Sequence, residues 1–508
     1  MKTGRTTLPA HVHTLIVGAG FGGIGLAATL LREDPAADLL VIERADDVGG
    51  TWRDNTYPGC ACDVPSALYS YSFAPEPNWR YAYGKQPEIH AYLRRVADQT
   101  GVADRTVTGC ELVEAQWDAH GRQWRVRTGR GDLTATVLVA ATGALSAPKL
   151  PDVPGVESFT GTTFHSATWD HGYDLAGKRV AVIGTGASAI QFVPEIVDRV
   201  EHLTLFQRTA SWVLPKHDRA VSRIERALFR AFPSTQKLVR GAVYAQKEGY
   251  VVGMAHQLWL LRLFQRRAEA YLRAQVPDDG LRAALTPAFT ITCKRILLSN
   301  DWLRTLTRRD VTVVSSGLTA VTETAVIDDA GNEYPVDAII FATGFTPTEP
   351  PVARHVRGAD GRTLAEHWSG SPSAHLGTTV HGFPNLFLMY GPNTNLGHSS
   401  IVYMLESQAT YIADALRVMR DERAAAVEVT GDAQRRYNDG LDPQLARTVW
   451  NAGGCDSWYL DASGRNSVMW PTYTWRFRRR TRRFDRENYR LTTAGEDRRA
   501  TEDTGARA

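Results

Sequence analysis

Cysteine is scarce in this sequence. Five are present, Cys60, Cys62, Cys110, Cys293 and Cys455, an odd and unevenly spaced set. Such a set argues against a disulfide-built secreted scaffold and predicts reduced thiols in a cytoplasmic protein. Cys60 and Cys62 form C-x-C, which is neither a C-x-x-C redox pair nor half of a zinc site, so no metal is expected. Long apolar runs are missing too: no stretch approaches the roughly 18 residues that a membrane span requires. Residues 1–10 are polar and lead straight into a strand-like run, so no secretory signal is expected. Nor does charge of one sign dominate. A net charge of +3 argues against nucleic acid or an anionic membrane as the main partner. The tail, residues 495–508, is polar and charged and is expected to be disordered.

What is present is ample for a core. The 508 residues predict two or three domains, and 43% hydrophobic with 22% charged residues is ordinary for a globular chain. Residues 14–17 (TLIV) read as a buried parallel strand. Gly18-Ala19-Gly20-Phe21-Gly22-Gly23 follows, matching G-x-G-x-x-G, and a small apolar helix begins at Ile24. The first glycine permits a tight turn, the second lets a pyrophosphate approach the backbone, and the third allows close helix–strand packing. The next strand, residues 39–42, ends in Glu43, 25 residues after Gly18 and at the spacing of a ribose-binding acid. Residues 48–52 (VGGTW) come next, then the loop 57–65 (YPGCACDVP). On its own residues that loop reads as a surface turn with a solvated Asp63. Strands at 124–126 and 137–141 precede Ala141-Thr142-Gly143.

The order then repeats. Residues 179–183 (RVAVI) are an apolar strand, followed by Gly184-Thr185-Gly186-Ala187-Ser188-Ala189, a G-x-G-x-x-A variant. After a strand at 203–206 stand Gln207 and Arg208, where the first unit has its acid. An arginine there suits the extra 2′-phosphate of NADP, which an acid would repel. A further strand at 336–341 ends in Ala342-Thr343-Gly344, echoing the first exit. Between the two halves of this unit, residues 220–288 are helix-like and read as an insertion that walls a substrate site. Residues 293–300 (CKRILLSN) return from it, and Lys294-Arg295 alone could be a solvated strand start. Residues 476–483 mix aromatic and basic side chains and read as a strand with a solvated face, not a nucleic-acid patch.

One stretch ties the two units together. Residues 159–170 (FTGTTFHSATWD) look like a linker, with turn formers, two large aromatics and a histidine. Taken with both glycine loops, the pattern F-x-G-x-x-x-H-x-x-x-W-D resembles the type I Baeyer–Villiger monooxygenase family, its fingerprint here being Phe159, Gly161, His165, Trp169 and Asp170. The resemblance runs from about residue 12 to 485 and includes YPGCACDVPSALYSYSF, CKRILLSND, GPNTNLGHSS and GGCDSWYLDASGRN. Related N- and S-oxygenating flavin monooxygenases lack the W-D ending. A nucleotide-binding regulatory protein would require neither Arg295 nor Asp63.

The resemblance implies an α/β fold with two Rossmann-like dinucleotide-binding domains and a helical insertion in the second. The FAD-binding domain would be discontinuous, residues 1–150 and 350–508. The NADP-binding domain would comprise 151–215 and 290–349, and the insertion 216–289. Gly18, Gly20, Gly23 and Glu43 would bind the ADP half of FAD, with Thr51, Trp52, Asp54, Tyr69 and Met404 near the rest of the flavin. Gly184, Thr185, Gly186, Ser188 and Ala189 would receive the NADPH pyrophosphate, with Gln207 beside Arg208 and Lys294 at the 2′-phosphate. Arg295 matches the family's active-site arginine, Asp63 its carboxylate partner at the cofactors, and Trp458 a tryptophan on a mobile loop that closes over NADP. The implied reaction takes a ketone and O2: reduced flavin adds oxygen to form a C4a-peroxide, which attacks the ketone to give an ester or lactone. Where many relatives carry a basic residue before Cys-Asp, this chain has Cys60-Ala61, which leaves local NADP contacts open.

Overall fold

The computed structural model of the protein describes residues 7–346, 348, 350–455 and 457–493. The tail expected to be disordered and the first six residues lie outside the described residues.

Two α/β units of Rossmann type organise the chain. The first is built on β1 (His11–Val17), β2 (Leu39–Ile42), β3 (Thr106–Val107), β4 (Leu112–Asp118), β5 (Gln123–Thr128) and β6 (Gly131–Ala140). Its sheet runs Val356–Arg357, β4, β5, β6, β1, β2, β3, with Leu386–Leu388 paired to β6. β1 pairs in parallel with both β2 and β6, which is why residues 39–42 are apolar throughout and buried on both faces. α1 (Phe21–Glu33) leaves the end of β1 directly, and its small residues let it lie close. A methyl at Gly25 would sit 2.8 Å from the Tyr71 ring.

The second unit is an all-parallel sheet of β7 (Thr162–His165), β8 (Arg179–Ile183), β9 (His202–Phe206), Val311–Val314 and Ala338–Phe341. Its order is Val311–Val314, β9, β8, Ala338–Phe341, β7. The stretch 159–170 that reads as a linker therefore supplies an edge strand: residues 162–165 pair with 338–341. Gly161 is forced by that pairing, since a side chain there would meet Asp337 O at 2.4 Å. Past the strand, His165 Nδ1 accepts the Ala167 N–H, and Trp169 packs on Phe164 and Phe192. The two crossings between units lie side by side: Lys149 N–H donates to Gly344 O at 2.9 Å, and Thr343 Oγ1 donates to Lys149 O.

After α2 (Thr51–Asp54) and α3 (Gln86–Gln99) in the first unit and α4 (Ala189–Ile196) in the second, the segment between the halves of the second unit is helical: α5 (Arg223–Ala231), α6 (Pro233–Val251), a π turn at Val252–His256, α7 (Leu261–Gln275) and α8 (Asp279–Ala284). Three expectations change. Of residues 293–300 only Leu297–Leu298 forms a strand, paired with Val213–Leu214. The basic run expected as a strand begins inside a helix, Thr474–Arg480, whose Thr474 and Phe477 are buried. And the thiols are not all reduced: Cys293 and Cys455 form a disulfide across 162 residues, while Cys60, Cys62 and Cys110 are free and buried.

Candidate functional site: a dinucleotide cavity and an arginine–aspartate pair

The glycine loop after β1 opens onto a cavity of about 260 Å³. Gly18, Gly20, Glu43, Thr51, Trp52, Asp54 and Tyr69 all line it. Gly18 sits at φ +104°, and a side chain there would meet Ala141 O at 2.6 Å, so the turn and the A-T-G exit need each other's bareness. Gly23 does not face the cavity's lumen. A methyl on it would fall 1.9 Å from Gly18 O, as expected of a glycine that brings helix against strand. Gly20 is different: its nearest atoms to a Cβ are at 3.7 Å, so the space beside it stays open for a ligand's backbone approach.

Glu43 is buried and holds the loop's shape. Its Oε2 accepts the Ala19 N–H at 2.9 Å, its Oε1 accepts the Ala45 N–H at 3.1 Å, and Arg53 lies 3.0 Å from it. A carboxylate has about four lone-pair directions, so one remains for a hydroxyl. Ala19 O in turn accepts the Gly49 N–H at 2.8 Å, which stitches the second glycine turn to the first. Trp52 Nε1 donates to Tyr69 Oη at 2.9 Å, fixing both rings at the wall. Arg53 was not singled out by sequence. Burial disfavours its charge, but Glu43 and Asp54 outweigh that and hold the guanidinium more firmly protonated than usual. Met389, Tyr390, Ile401 and Leu405 complete the wall; Met404 is fully buried in an apolar cluster with Leu396 and Met469 and is not among the lining residues. A cradle of bare glycines, a buried acid with a spare lone pair and aromatic walls fit the ADP and ring portions of a dinucleotide.

Beyond Tyr69 and Tyr390 stands the charged pair. Arg295 Nε and Nη2 reach Asp63 Oδ2 and Oδ1 at 2.5 and 2.6 Å, a bidentate fork from two segments 232 residues apart. Both side chains remain about a third exposed, so the pair is reachable. Burial by itself would raise the Asp63 carboxyl; Arg295 reverses this and holds it below the usual carboxylate range. Asp63 in turn raises Arg295 further from neutrality. The field of Arg295 also acts on the Tyr69 and Tyr390 phenols, although burial dominates and raises both. Neither Asp63 nor Arg295 is among the residues lining the cavity; the pair stands behind its Tyr69 and Tyr390 wall. Lys247 of α6 lies close enough to feel both charges, and burial lowers its ammonium.

Each partner is held by its own scaffold. Arg295 sits between the Cys293–Cys455 disulfide and the Leu297–Leu298 strand. The Asp63 loop, a surface turn on its own residues, is docked onto the second unit. Gln191 of α4 (Ala189–Ile196) bonds Ala61 through both N–H and C=O, at 3.1 and 3.0 Å, and accepts the Tyr57 hydroxyl at 3.1 Å. Gly59 fits only because it is bare, with Gln191 O 2.7 Å from where a methyl would stand. Burial raises the Cys62 thiol and pushes that of Cys60 up to about 11, so both stay protonated near neutral pH.

The second glycine loop is more open. Gly184 repeats the strained turn, at φ +108° with Ala342 O 2.6 Å from a would-be Cβ, but nothing lies within 4 Å of one at Gly186. Thr185 and Ser188 are partly exposed, Ala189 is buried, and Arg208 is exposed. Gln207 is buried instead and donates to Ala284 O at the end of α8. Lys294 Nζ lies 5.4 Å over the Phe289 ring, and Trp458 is 44% exposed, packed on Tyr459.

Residues 15–234 match the pyridine nucleotide-disulphide oxidoreductase family. A Baeyer–Villiger monooxygenase of Streptomyces coelicolor is 50% identical over 489 residues, which is 95% of this chain and 93% of that protein. The chain belongs to the Baeyer–Villiger monooxygenase family. A second Baeyer–Villiger monooxygenase, from Pseudomonas aeruginosa, is 48% identical over 97% of this chain and 94% of its own length. Among solved structures, an oxidized steroid monooxygenase bound to NADP superposes with a TM-score of 0.84 at 29% identity, covering 96% of this chain and all of that one. A closed cyclohexanone monooxygenase gives 0.84 at 26% identity over the same shares. Membership in the Baeyer–Villiger family fits the two-loop architecture and the pair beside the first cavity.

Proposed function

We propose that this chain is an FAD-dependent monooxygenase that uses NADPH and O2 to convert a ketone to an ester or lactone. The observation that carries the reading is the bidentate Arg295–Asp63 pair beside the dinucleotide cavity. FAD bound in that cavity would supply oxygen activation. Gly18, Gly20, Gly23 and Glu43 would hold its ADP half, and Thr51, Trp52, Asp54 and Tyr69 would contact the remainder. The second loop, from Gly184 to Ala189, with Arg208 and Lys294, would take NADPH. Gln207 instead ties this unit to the end of α8. Arg295 stabilises negative charge that builds on the reacting oxygens, and a guanidinium stays charged at any working pH. Asp63 aims the guanidinium and shields it from other acceptors. Trp458 closes over the nicotinamide side.

The domain reading accompanies this function: residues 1–150 and 350–508 for FAD, 151–215 and 290–349 for NADP, and 216–289 as the insertion. The membership of Val356–Arg357 and Leu386–Leu388 in the first sheet supports it, as does that of Val311–Val314 and Ala338–Phe341 in the second. Dependence on NADPH suits a cytoplasmic enzyme. Among the described residues no helix is long and apolar enough to cross a membrane.

The test is aerobic incubation of the yellow holoenzyme with NADPH and a panel of ketones, amines and sulfides, with products identified by mass. Esters or lactones are expected. N-oxides or sulfoxides alone, or NADPH oxidation that yields only hydrogen peroxide with every ketone, would overturn the reading.

A further inference from the structure

The start of the helical insertion is anchored by polar side chains and exposes apolar ones. Along α6, Gln236 donates to Glu76 O, Arg240 to Ser70 O at 2.9 Å, and Glu248 accepts from Thr474 N at 3.0 Å and Oγ1 at 2.7 Å, while Val243, Tyr244 and Val251 pack inward. These bonds fix the helix's rotation. Leu238, on the opposite side, is 75% exposed, and Val239 on the flank is 40% exposed. α5, a capped helix with no fully buried residue, packs against α6 and exposes Ile224 (81%), Leu228 (42%) and, just beyond its end, Phe232 (61%). Residues 224, 228 and 232 follow the four-residue step of one helix side. Eight of the thirteen large hydrophobic residues exposed among the described residues belong to the insertion, about a seventh of the chain. Single exposed apolar residues require no account, but five of them on two helices packed together point to an interaction surface.

Charge decides what the surface meets. Residues 219–240 contain six Lys or Arg and one acid, Glu225, which is already paired with Arg219 at 2.7 Å. Arg223, Arg230 and Lys237 are exposed on the same two helices as the patch. This segment alone therefore exceeds the net +3 of the whole chain, whose near-neutrality conceals it. Two such faces would repel one another, which disfavours pairing with a second copy. An apolar helix face with basic neighbours fits the interface of an anionic lipid bilayer. We propose that α5 and the start of α6 form a peripheral docking surface for anionic membranes, seating Ile224, Leu228, Phe232, Leu238 and Val239 in the headgroup boundary.

The test is co-sedimentation of the full-length holoenzyme with vesicles of phosphatidylcholine alone or mixed with phosphatidylglycerol. Pelleting with the mixed vesicles at low salt, weakened by added salt, is expected. Arg223→Glu/Arg230→Glu/Lys237→Glu should lower partition on the order of 100-fold, from loss of three attractive charges alone. Ile224→Glu/Leu228→Glu/Phe232→Glu should abolish it, with FAD content and NADPH oxidation in vesicle-free buffer unchanged. Should that triple variant misfold, Leu238→Glu tests the same face from the other helix. The proposal is overturned if no vesicle pellets the protein, or if well-folded variants pellet like the parent. It is equally overturned if light scattering shows a dimer that these variants dissociate, since the face would then bind a second copy.

Discussion

Gly23 and Ala189 occupy the same place in the two glycine loops, yet only one could exchange with the other. A methyl on Gly23 would overlap Gly18 O, while Ala189 carries its methyl fully buried. The reason is where each helix starts. α1 begins at Phe21, three residues after the first glycine, and α4 only at Ala189, five residues after Gly184. The first loop is tight, its acid is buried and triply bonded, and it encloses a cavity. The second is slack, with Gly186 bare to its surroundings and Arg208 exposed. One sequence plan thus yields a holder suited to a resident group and a dock suited to a coenzyme that comes and goes.

The largest expected effect lies where the two units meet. Arg295→Ala should leave the holoenzyme yellow and reducible by NADPH, yet cut ester formation on the order of 100- to 1,000-fold, with oxygen diverted to hydrogen peroxide. Stopped-flow reduction beside product analysis reads both halves; near-parent ester formation would remove Arg295 from the chemistry. The next test attacks the contrast directly. Gly23→Ala forces overlap with backbone and should lower stability by about 1–3 kcal/mol, with release of FAD. The reciprocal Ala189→Gly should cost only about 1 kcal/mol and leave FAD in place. Equal effects in thermal unfolding and flavin fluorescence would erase the distinction between tight and slack loops. At the slack loop, Arg208→Ala should weaken NADPH roughly 10- to 150-fold and NADH little, because a charge-assisted bond is lost. Equal loss for both coenzymes, measured by steady-state kinetics, would take Arg208 away from the 2′-phosphate.

The smallest effect concerns acid. Asp63 is held below the usual carboxylate range, so the unfolded chain binds its proton first as pH falls. The pair's stabilisation is fully present above about pH 4 and is lost as pH drops through the lowered value. Unfolding midpoints of parent and Asp63→Asn should differ by a constant amount between pH 5 and 8 and converge below about 4. A difference that grew in acid would mean that the pair is not ionised in the folded protein.

How legible this was depended on how local each signal is. Both glycine loops, Glu43 and the two A-T-G exits were readable because strand, turn and helix there lie within 30 residues. The edge strand at residues 162–165 was not, because its partner lies more than 170 residues away and the strand is only four residues long with turn formers on both sides. Separations of 162 and 130 residues likewise hid the pairing of Cys293 with Cys455 and the clamp of Gln191 on the Asp63 loop. Residues 476–483 misled because aromatic and basic side chains suit a solvated strand and a helix alike; burial of Thr474 and Phe477 decides for the helix. Only the family resemblance points to Arg295 and Asp63, and neither residue's own neighbourhood predicts the fork between them.

The Cys293–Cys455 bond makes Trp458 the end of a leash. Cys455 is held with its Cα 6.0 Å from that of Cys293, the residue next to Lys294. Three residues of chain reach at most about 11 Å, so Trp458 can sweep only a short arc around that post. However the rest of its loop rearranges, the indole stays in the neighbourhood of Arg295. On the role proposed for Trp458, closure would be the swing of a tethered arm, and a thiol reductant that cuts the tether would change how far the arm can travel without altering a single residue.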